Sequence, residues 1–520
     1  MIRRVLATVG VSALLVTSIY APGGAQDADV AAAGVNWSAC PPVAEGQPSL
    51  ADFECATVKV PLNYNKPAGR KITLGMVKHP ATSGTSRGTI FFNPGGPSDQ
   101  GSVFLPALVD GFGKRIVSNY DLVSWDPRGM GGMSTPVVQC FPSLEKEEKF
   151  LAPAPFPPLN KQEMQKWGSL HSKMFTKCGK GDVALLKHVS TADNARDMES
   201  MRKALGLKKL SYYGTSYGTF LGATFANMFP KSYEHMVLDG AINPVAWTQA
   251  QGRLSTFMRA GSDKASAATL QSFLEICGKK SADKCPFSAG TPKKTVNKFN
   301  KLIKAAEKGI TTPDGPLTAN DIVGITFASL YIVQPVPGFA KFVGWTGLAE
   351  YLQQFWELAK GASSTSAALS AKDSYMGAER QSAVVCGESP NPTNRGAYVK
   401  QALKSLKDVG VGGAAWTWIG YCADWPAKAQ SPYLGPWDNV GKPIVVVGTT
   451  GDPATPYSNA VAASRLLPGA RLITVDGYGH TELANPSKCV QQRLADYFLK
   501  DKLPKRNAPD CQQNTKPFAG

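Results

Sequence analysis

A serine held between two glycines is the first feature of this sequence that could carry out chemistry. Residues 214–218 read Gly-Thr-Ser-Tyr-Gly, a G-x-S-x-G pattern with Ser216 at its centre. The pattern is typical of a nucleophile elbow, in which a sharp turn between a strand and a helix exposes the serine hydroxyl. A second match at residues 84–88, centred on Ser86, lies in a polar loop before a strand. Because only Ser216 follows a predicted strand and opens a predicted helix, it is the candidate nucleophile.

A serine hydroxyl is a poor nucleophile at neutral pH and needs a histidine base that an acidic side chain orients. In proteins built around such an elbow the chain order is serine, acid, histidine. His480 follows Ser216 and lies in a glycine-rich turn after the predicted strand 471–475, so it is the candidate base. The other four histidines have ordinary surface or packing explanations, and three of them precede the serine: His79, His171, His188 and His235.

Asp452 is the candidate acid, because it follows the predicted strand 444–448 and a short polar turn. Asp476 and Asp424 are its rivals. Asp476 is too close to His480 in sequence to reach the far ring nitrogen easily, and Asp424 falls in the helical segment described below. We therefore predict the set Ser216, Asp452 and His480.

The oxyanion formed on attack at a carbonyl needs preorganised N–H donors. The backbone N–H of Tyr217, directly after the nucleophile, is one candidate. The turn Gly95-Gly96-Pro97 follows the predicted strand 89–92, and its position makes Gly96 the candidate for the second donor.

The elements that would position these groups alternate between strands and helices, which predicts a mostly parallel sheet covered by helices. From residue 244 to about residue 436 the strand signals fade and irregular helical segments take over. We therefore predict a core formed by residues 36–243 and 437–511, with a large, mainly helical cap inserted at 244–436. Residues 512–520 are predicted to form a tail held only by Cys511.

Composition and the N-terminus indicate an exported globular protein. Of the 520 residues, 43% are hydrophobic and 18% are charged, which excludes a largely disordered chain. The formal charge of +17 permits weak association with an anionic cell envelope and does not select nucleic acid as a partner. Arg3 and Arg4 precede an apolar stretch, which predicts a signal peptide over residues 1–25, or up to Ala33, with no cysteine placed for lipidation. We expect a secreted or envelope-associated protein.

Ten cysteines agree with an oxidising compartment. None lies in a C-x-x-C pair and no histidines form H-E-x-x-H, so the sequence gives no support for a metal site, and no cofactor is implied. Disulfides between sequence neighbours would staple local loops without crossing. The hypothesis is therefore five pairs: Cys40 with Cys55, Cys140 with Cys178, Cys277 with Cys285, Cys386 with Cys422 and Cys489 with Cys511.

Together these motifs resemble the secreted tripeptidyl aminopeptidases of the α/β-hydrolase fold, relatives of prolyl iminopeptidase. The resemblance spans most of the mature chain and is carried by six short segments: 93–97 (Asn-Pro-Gly-Gly-Pro), 125–129 (Trp-Asp-Pro-Arg-Gly), 214–219 (Gly-Thr-Ser-Tyr-Gly-Thr), 238–240 (Leu-Asp-Gly), 451–456 (Gly-Asp-Pro-Ala-Thr-Pro) and 479–480 (Gly-His). It implies a serine exopeptidase that releases short peptides, often tripeptides, from a free N-terminus, with the cap closing the far end of the cleft. Ser98 departs from the family, which usually has another glycine after Gly-Gly-Pro.

An aminopeptidase must also recognise an ammonium group. Residues 384–388 (Val-Val-Cys-Gly-Glu) resemble the family's Cys-x-Asp stretch beside the cleft, with glutamate in place of aspartate, so the resemblance makes Glu388 the candidate anchor. A cap carboxylate paired with a lysine is the alternative explanation.

Two other functional classes remain open at this point. The same triad serves a secreted carboxylesterase or lipase, because the fold does not select the substrate. A binding protein with an inactive triad is a further class, although nucleophile, acid, base and oxyanion turn are all present in the sequence.

Overall fold

A ten-stranded sheet organises the part of the chain that the structure describes. This computed structural model describes residues 34–43, 47–249, 254–313, 315–336, 343–362, 378–506 and 508–519. The predicted signal peptide lies outside these residues. Within them, no helix has both the length and the apolar character needed to cross a bilayer.

The sheet is antiparallel at one edge and parallel elsewhere. Its order is β1-β2-β3-β5-β4-β6-β7-β8-β9-β10. The pairs β1–β2, β2–β3 and β3–β5 are antiparallel, and all pairs from β5–β4 to β9–β10 are parallel. The strands are β1 (Ser38–Ala39), β2 (Glu54–Pro61), β3 (Lys71–His79), β4 (Thr89–Asn93), β5 (Asp121–Trp125), β6 (Leu210–Thr215), β7 (Tyr233–Asp239), β8 (Val445–Gly451), β9 (Arg471–Tyr478) and β10 (Cys511–Gln512).

Helices cover both faces of the sheet. They are α1 (Gly101–Leu108), α2 (Lys114–Asn119), α3 (Leu144–Leu151), α4 (Lys161–Cys178), α5 (Val183–Leu186), α6 (Thr191–Ala204), α7 (Tyr217–Met228), α8 (Pro244–Thr248), α9 (Thr256–Ala260), α10 (Ser262–Gly278), α11 (Pro292–Ala306), α12 (Ala319–Ser329), α13 (Gly344–Ala359), α14 (Ala378–Glu388), α15 (Arg395–Val409), α16 (Tyr457–Leu466) and α17 (Lys488–Lys500). Short 3-10 turns lie at Val109–Phe112, Val411–Gly413 and Ala415–Thr417.

The central strands are apolar on both sides because successive side chains enter different cores. In β4, Phe91 belongs to the core on one face of the sheet and Phe92 to the core on the other. Tyr212 and Tyr213 of β6 divide in the same way. Because both faces of these strands are buried, their register in the sheet is fixed, and so is the point along the sheet at which each strand ends.

A long helical segment separates β7 from β8, and we call residues 244–436 of it the cap. One part of the cap has its own apolar core, where Phe273 of α10 packs against Trp345 of α13. Another part, including Val385 of α14, joins the core on one face of the sheet. The cap is therefore packed directly onto the sheet domain.

Five disulfides join the ten cysteines, and the pairs are the five sequence neighbours of the hypothesis: Cys40–Cys55, Cys140–Cys178, Cys277–Cys285, Cys386–Cys422 and Cys489–Cys511. Structural disulfides persist in oxidising compartments. They indicate an extracellular or envelope location.

The predicted tail is more ordered than the sequence indicated. Rather than being held by Cys511 alone, residues 511 and 512 form β10, which pairs with β9. The Gln513 side chain accepts from the Tyr478 N–H at 3.0 Å and donates to the Tyr478 carbonyl at 3.0 Å. Phe518 is buried against Phe273 and Trp345. The prediction of a tail failed because β10 pairs with the edge strand β9 through backbone hydrogen bonds alone. A strand of only two residues leaves no recognisable pattern in the sequence.

Candidate active site

Ser216 lies at the turn between β6 and α7, at the carboxyl end of the sheet. Its backbone has φ 55° and ψ −125°, a conformation that L-residues rarely adopt. Such strain persists only where the surroundings over-determine it. One restraint is the Ser216 N–H, which donates to the Asp239 carbonyl at the end of β7 at 2.9 Å.

The two glycines of the motif allow the elbow to pack closely. A Cβ atom at Gly214 would lie 2.4 Å from the Gly218 carbonyl oxygen, and one at Gly218 would lie 2.5 Å from the Asn93 carbonyl oxygen. Both distances are far inside van der Waals contact. The G-x-S-x-G pattern therefore reflects the close approach of β6, α7 and the end of β4.

His480 and Asp452 form a buried pair. The His480 Nδ1 lies 2.9 Å from Asp452 Oδ2 and 3.0 Å from Oδ1. The carboxylate also accepts from the backbone N–H groups of Ala454 at 2.8 Å and Thr455 at 2.9 Å, which hold it in place. The His480 Nε2 is buried and has no hydrogen-bond partner among the described residues. A ring oriented through Nδ1 with a free Nε2 is the arrangement that a general base needs.

The rival residues lie elsewhere. Asp476 is exposed on β9, and Asp424 pairs with Arg395 at 3.1 Å. Ser86 is exposed and donates to the Gly88 carbonyl at 2.8 Å. Of the other histidines, His171 stacks on Trp167, His235 bonds to Asp501, His79 contacts Phe53 and His188 lies near Arg128.

The two candidate oxyanion donors flank the elbow. Tyr217 is the first residue of α7, and its N–H is one of the groups that a helix leaves without an internal partner. The loop after β4 reaches the elbow because Gly95, with φ 106°, has no side chain: a Cβ there would lie 2.9 Å from Ser216 Cβ and 3.0 Å from the Tyr217 nitrogen. Gly96 follows at the wall of the cleft.

Asp239 joins the nucleophile turn to the histidine loop, a role the sequence analysis missed. Its carbonyl accepts from Ser216, while its carboxylate accepts from the N–H groups of Glu482 and Leu483, both at 2.9 Å, and from the Tyr213 hydroxyl at 3.2 Å. Burial raises the pKa of Asp239 to about 6, against the lowering effect of these N–H donors and of nearby His480. The signal was its place at the end of β7, since the carboxyl ends of neighbouring parallel strands meet at one edge of the sheet.

A small cleft, with a volume of about 30 Å³ for water-sized molecules, lies above Ser216 between the sheet and the cap. The sheet side supplies Gly96, Ser216, Tyr217 and Thr455, and the cap supplies Trp247, Phe257, Tyr331, Gln381 and Trp416. Tyr331 also contacts the histidine loop, because its carbonyl accepts from the His480 N–H at 2.6 Å and its ring meets the imidazole edge-on at 5.1 Å. The cap thus forms one wall of the cleft and supports the candidate base.

Glu388 lies behind the wall of this cleft. Its carboxylate accepts from the Thr191 N–H at 2.7 Å, the Thr191 hydroxyl at 2.6 Å and the Trp247 indole at 2.9 Å. Burial raises its pKa to about 7, although these hydrogen bonds act in the opposite direction. The two carboxylate oxygens of Glu388 therefore accept hydrogen bonds from Thr191 and Trp247, and not from the lysine considered in the sequence analysis.

Comparison with known proteins assigns the family. Residues 88–309 match the family model described as alpha/beta hydrolase fold, and residues 409–511 match the one described as TAP-like protein. The chain is 28% identical over 489 residues to the serine protease Hip1 of Mycobacterium tuberculosis, covering 87% of this chain and 86% of that protein. It is 28% identical over 491 residues to the tripeptidyl aminopeptidase of Streptomyces lividans, covering 91% and 86%. It is 30% identical over 512 residues to carboxylesterase B of Mycobacterium tuberculosis, covering 93% and 91%. The chain therefore belongs to the α/β-hydrolase family, as a member with a TAP-like C-terminal region.

Proposed function

We propose that this protein is an exported serine exopeptidase that removes short peptides, tripeptides in particular, from free N-termini. The observation that carries the proposal is the buried His480–Asp452 pair, in which the Nε2 atom of His480 has no hydrogen-bond partner among the described residues. The pair belongs to a site that also contains the strained Ser216 and a cleft walled by the cap. The names of two relatives, serine protease Hip1 and tripeptidyl aminopeptidase, support a peptide substrate.

In the proposed reaction Ser216 Oγ attacks the scissile carbonyl carbon and transfers its proton to His480 Nε2. Asp452 holds the ring with Nδ1–H pointing at its carboxylate and stabilises the imidazolium that forms. The N–H groups of Tyr217 and Gly96 receive the oxyanion. The imidazolium then protonates the leaving amine as the C–N bond breaks, which leaves an acyl-enzyme on Ser216.

Water completes the cycle by the same route. His480 removes a proton from a water molecule, which attacks the acyl carbon, and the ester bond to Ser216 breaks as the serine takes its proton back. The cap walls the cleft with Trp247, Phe257 and Trp416. A wall at this position would limit how much peptide fits on the acyl side, which is what an exopeptidase requires.

A carboxylesterase is the second candidate. It is favoured by the 30% identity to carboxylesterase B over 93% of this chain and by the largely apolar side chains of the cleft. The triad chemistry is the same for both, so substrates must separate the two functions.

The test compares the wild-type protein with Ser216→Ala on four substrate types: tripeptide amides with a free amine, the same peptides N-acetylated, single-residue amides and short acyl esters. We expect cleavage of the free-amine tripeptides only, with a loss of about a thousandfold or more in the variant. The matched control is Ser86→Ala, which changes the serine of the exposed second motif and should keep wild-type activity. Turnover of esters alone would replace the peptidase by the esterase, and an inactive Ser86→Ala would refute the assignment of Ser216.

A further inference from the structure

Asp99 is a buried carboxyl group that no described residue binds. It has no exposed surface, and neither of its carboxylate oxygens has a hydrogen-bond partner. It follows the Gly95-Gly96-Pro97 turn by two residues and directly succeeds Ser98, where the sequence departs from the family it resembles.

The carboxyl group lies beside the candidate oxyanion hole. A Cβ atom at Gly96 would be 3.0 Å from Asp99 Cγ, so the carboxyl carbon is packed against the backbone of the residue that supplies the second oxyanion donor. Burial, and to a lesser extent the charges of Asp452 and Asp99, raise the pKa of the Tyr331 hydroxyl. Gly96 and Tyr331 both line the cleft above Ser216.

A buried carboxyl group without hydrogen bonds is unfavourable. Burial raises the pKa of Asp99 well above its ordinary range, and no charged neighbour or hydrogen bond among the described residues opposes that effect. The buried acid Asp126, by contrast, accepts from the Ser102 N–H at 3.0 Å and the Met133 N–H at 2.7 Å. Native proteins leave few buried polar groups unpaired, and those that remain need an explanation.

We propose that Asp99 forms a subsite for a cationic group of the substrate, an ammonium, beside the oxyanion hole. The proposal rests on the proposed function, since a peptide supplies such a group either as its free N-terminus or as a lysine side chain. A bound ammonium would supply the hydrogen-bond donors that the described residues do not give to the Asp99 carboxylate. Glu388, the anchor predicted from the resemblance, already has donors on both oxygens, whereas both oxygens of Asp99 are free.

The position of Asp99 also limits which ammonium it can receive. The carboxyl carbon lies within about 4.5 Å of Gly96 Cα, since a carbon–carbon bond adds about 1.5 Å to the distance above. Each residue of an extended peptide spans about 3.3–3.6 Å. An ammonium at Asp99 therefore lies close to the scissile carbonyl, as the lysine side chain of the attacked residue does. The N-terminus of an extended tripeptide lies two residues, about 7 Å, farther along and would reach Asp99 only if the peptide folds back.

The test uses Asp99→Asn, which keeps the shape and removes the charge, with Glu388→Gln as the parallel variant at the other candidate anchor. Each protein is assayed on Ala-Ala-Ala and Ala-Ala-Lys amides, on the N-acetylated form of the first, on Ala-Ala-norleucine amide and on p-nitrophenyl butyrate. The acetylated substrate removes the N-terminal charge, norleucine removes the side-chain charge, and the ester reports the triad alone.

We expect Asp99→Asn to lower kcat/KM by about thirtyfold or more for the cationic substrate that uses the subsite, while butyrate hydrolysis stays near wild type. Loss of the free-amine preference would assign the N-terminus, and loss of the lysine preference would assign the side chain. An unchanged preference in Asp99→Asn would overturn the proposal. An equal loss on the ester would do the same, because it would indicate a purely structural role.

A second measurement does not depend on the variant folding. Butylammonium should inhibit butyrate hydrolysis by the wild-type enzyme more strongly than 1-pentanol, a neutral molecule of similar size, and equal inhibition would count against an ammonium subsite. A different result would contradict the proposed function itself: the wild-type enzyme would cleave esters and no peptide. The subsite would then be tested on the p-nitrophenyl esters of alanine and N-acetylalanine.

Discussion

Replacement of Asp239 by asparagine tests whether the nucleophile turn and the histidine loop depend on one side chain. The carboxylate of Asp239 accepts from Glu482, Leu483 and Tyr213, and its carbonyl accepts from Ser216. Asparagine keeps the backbone contact and the size of the side chain. It replaces one acceptor oxygen with an amide nitrogen, which cannot accept.

The magnitude follows from the bonds that change. One of the two backbone N–H donors, each 2.9 Å from the carboxylate, must face the amide nitrogen and stay buried without a partner. Such a group costs about 1–3 kcal/mol, and the surviving bonds lose about 1 kcal/mol more because they are no longer assisted by charge. If the loop must regain its position in the transition state, about 2–4 kcal/mol corresponds to a fall of about thirty- to several hundredfold in kcat.

The assay measures kcat and KM of wild type and Asp239→Asn from pH 5 to pH 8.5, with thermal unfolding at each pH. Since the pKa of Asp239 is raised to about 6, wild type carries the carboxylate above this pH and a neutral acid below it. Asparagine resembles the neutral acid. The ratio of the two kcat values should therefore be largest above pH 7 and shrink as the pH falls through about 6.

Asp476→Asn is the matched control, since it makes the same chemical change at an exposed position on the strand that leads to His480. It should behave like wild type. Burial and the charge of Asp239 raise the pKa of Glu482 well above its ordinary range. The double variant Asp239→Asn with Glu482→Gln therefore checks that Glu482 does not replace the lost charge. Wild-type kcat in Asp239→Asn, or a kcat ratio that is constant with pH, would show that the nucleophile turn and the histidine loop do not depend on this carboxylate.

Two further predictions concern packing and pH. Gly218→Ala should lower both thermal stability and activity, because its Cβ would lie 2.5 Å from the Asn93 carbonyl oxygen. Gly396→Ala, at an exposed position in the first turn of α15, should instead stabilise by up to about 0.5–1 kcal/mol, and equal effects of the two substitutions in thermal unfolding would contradict the packing argument. The pKa of Glu388 is raised to about 7 in the fold, so the folded state binds its proton more tightly than the unfolded chain. The free energy of unfolding should therefore fall as the pH rises from about 4.5 to 7, and Glu388→Gln should make this fall shallower in urea titrations; an unchanged slope would contradict the assignment.

Short motifs at strand ends made the candidate triad predictable from sequence. Ser216, Asp452 and His480 each lie within two residues of the end of a strand, and parallel strands place their carboxyl ends at one edge of the sheet. The family follows from the same motifs. The disulfide pattern was also accessible, because pairing of sequence neighbours needs only local loops.

Contacts between distant segments were not predictable in the same way. Asp239 is hundreds of residues from the loop it supports, and Asp99 is distinguished by partners it lacks, which only packing reveals. Glu388 was located near the cleft by resemblance, but its binding by Thr191 and Trp247 depends on how α14 docks on the sheet domain. Patterns along the chain specify elements, and they do not specify which buried groups meet.

The clamp that Gln513 forms on Tyr478 has a consequence for when the enzyme becomes competent. Gln513 bonds both the N–H and the carbonyl of Tyr478, two residues before His480, and Cys511, two residues before Gln513, forms a disulfide with Cys489. Residues 511–513 leave the ribosome after all three members of the proposed triad. A nascent chain thus holds every reactive group before it holds the support of its base. The Cys489–Cys511 disulfide ties residues 511–513 to α17, so an oxidising compartment, where this bond persists, also preserves the contact that Gln513 makes beside the histidine loop.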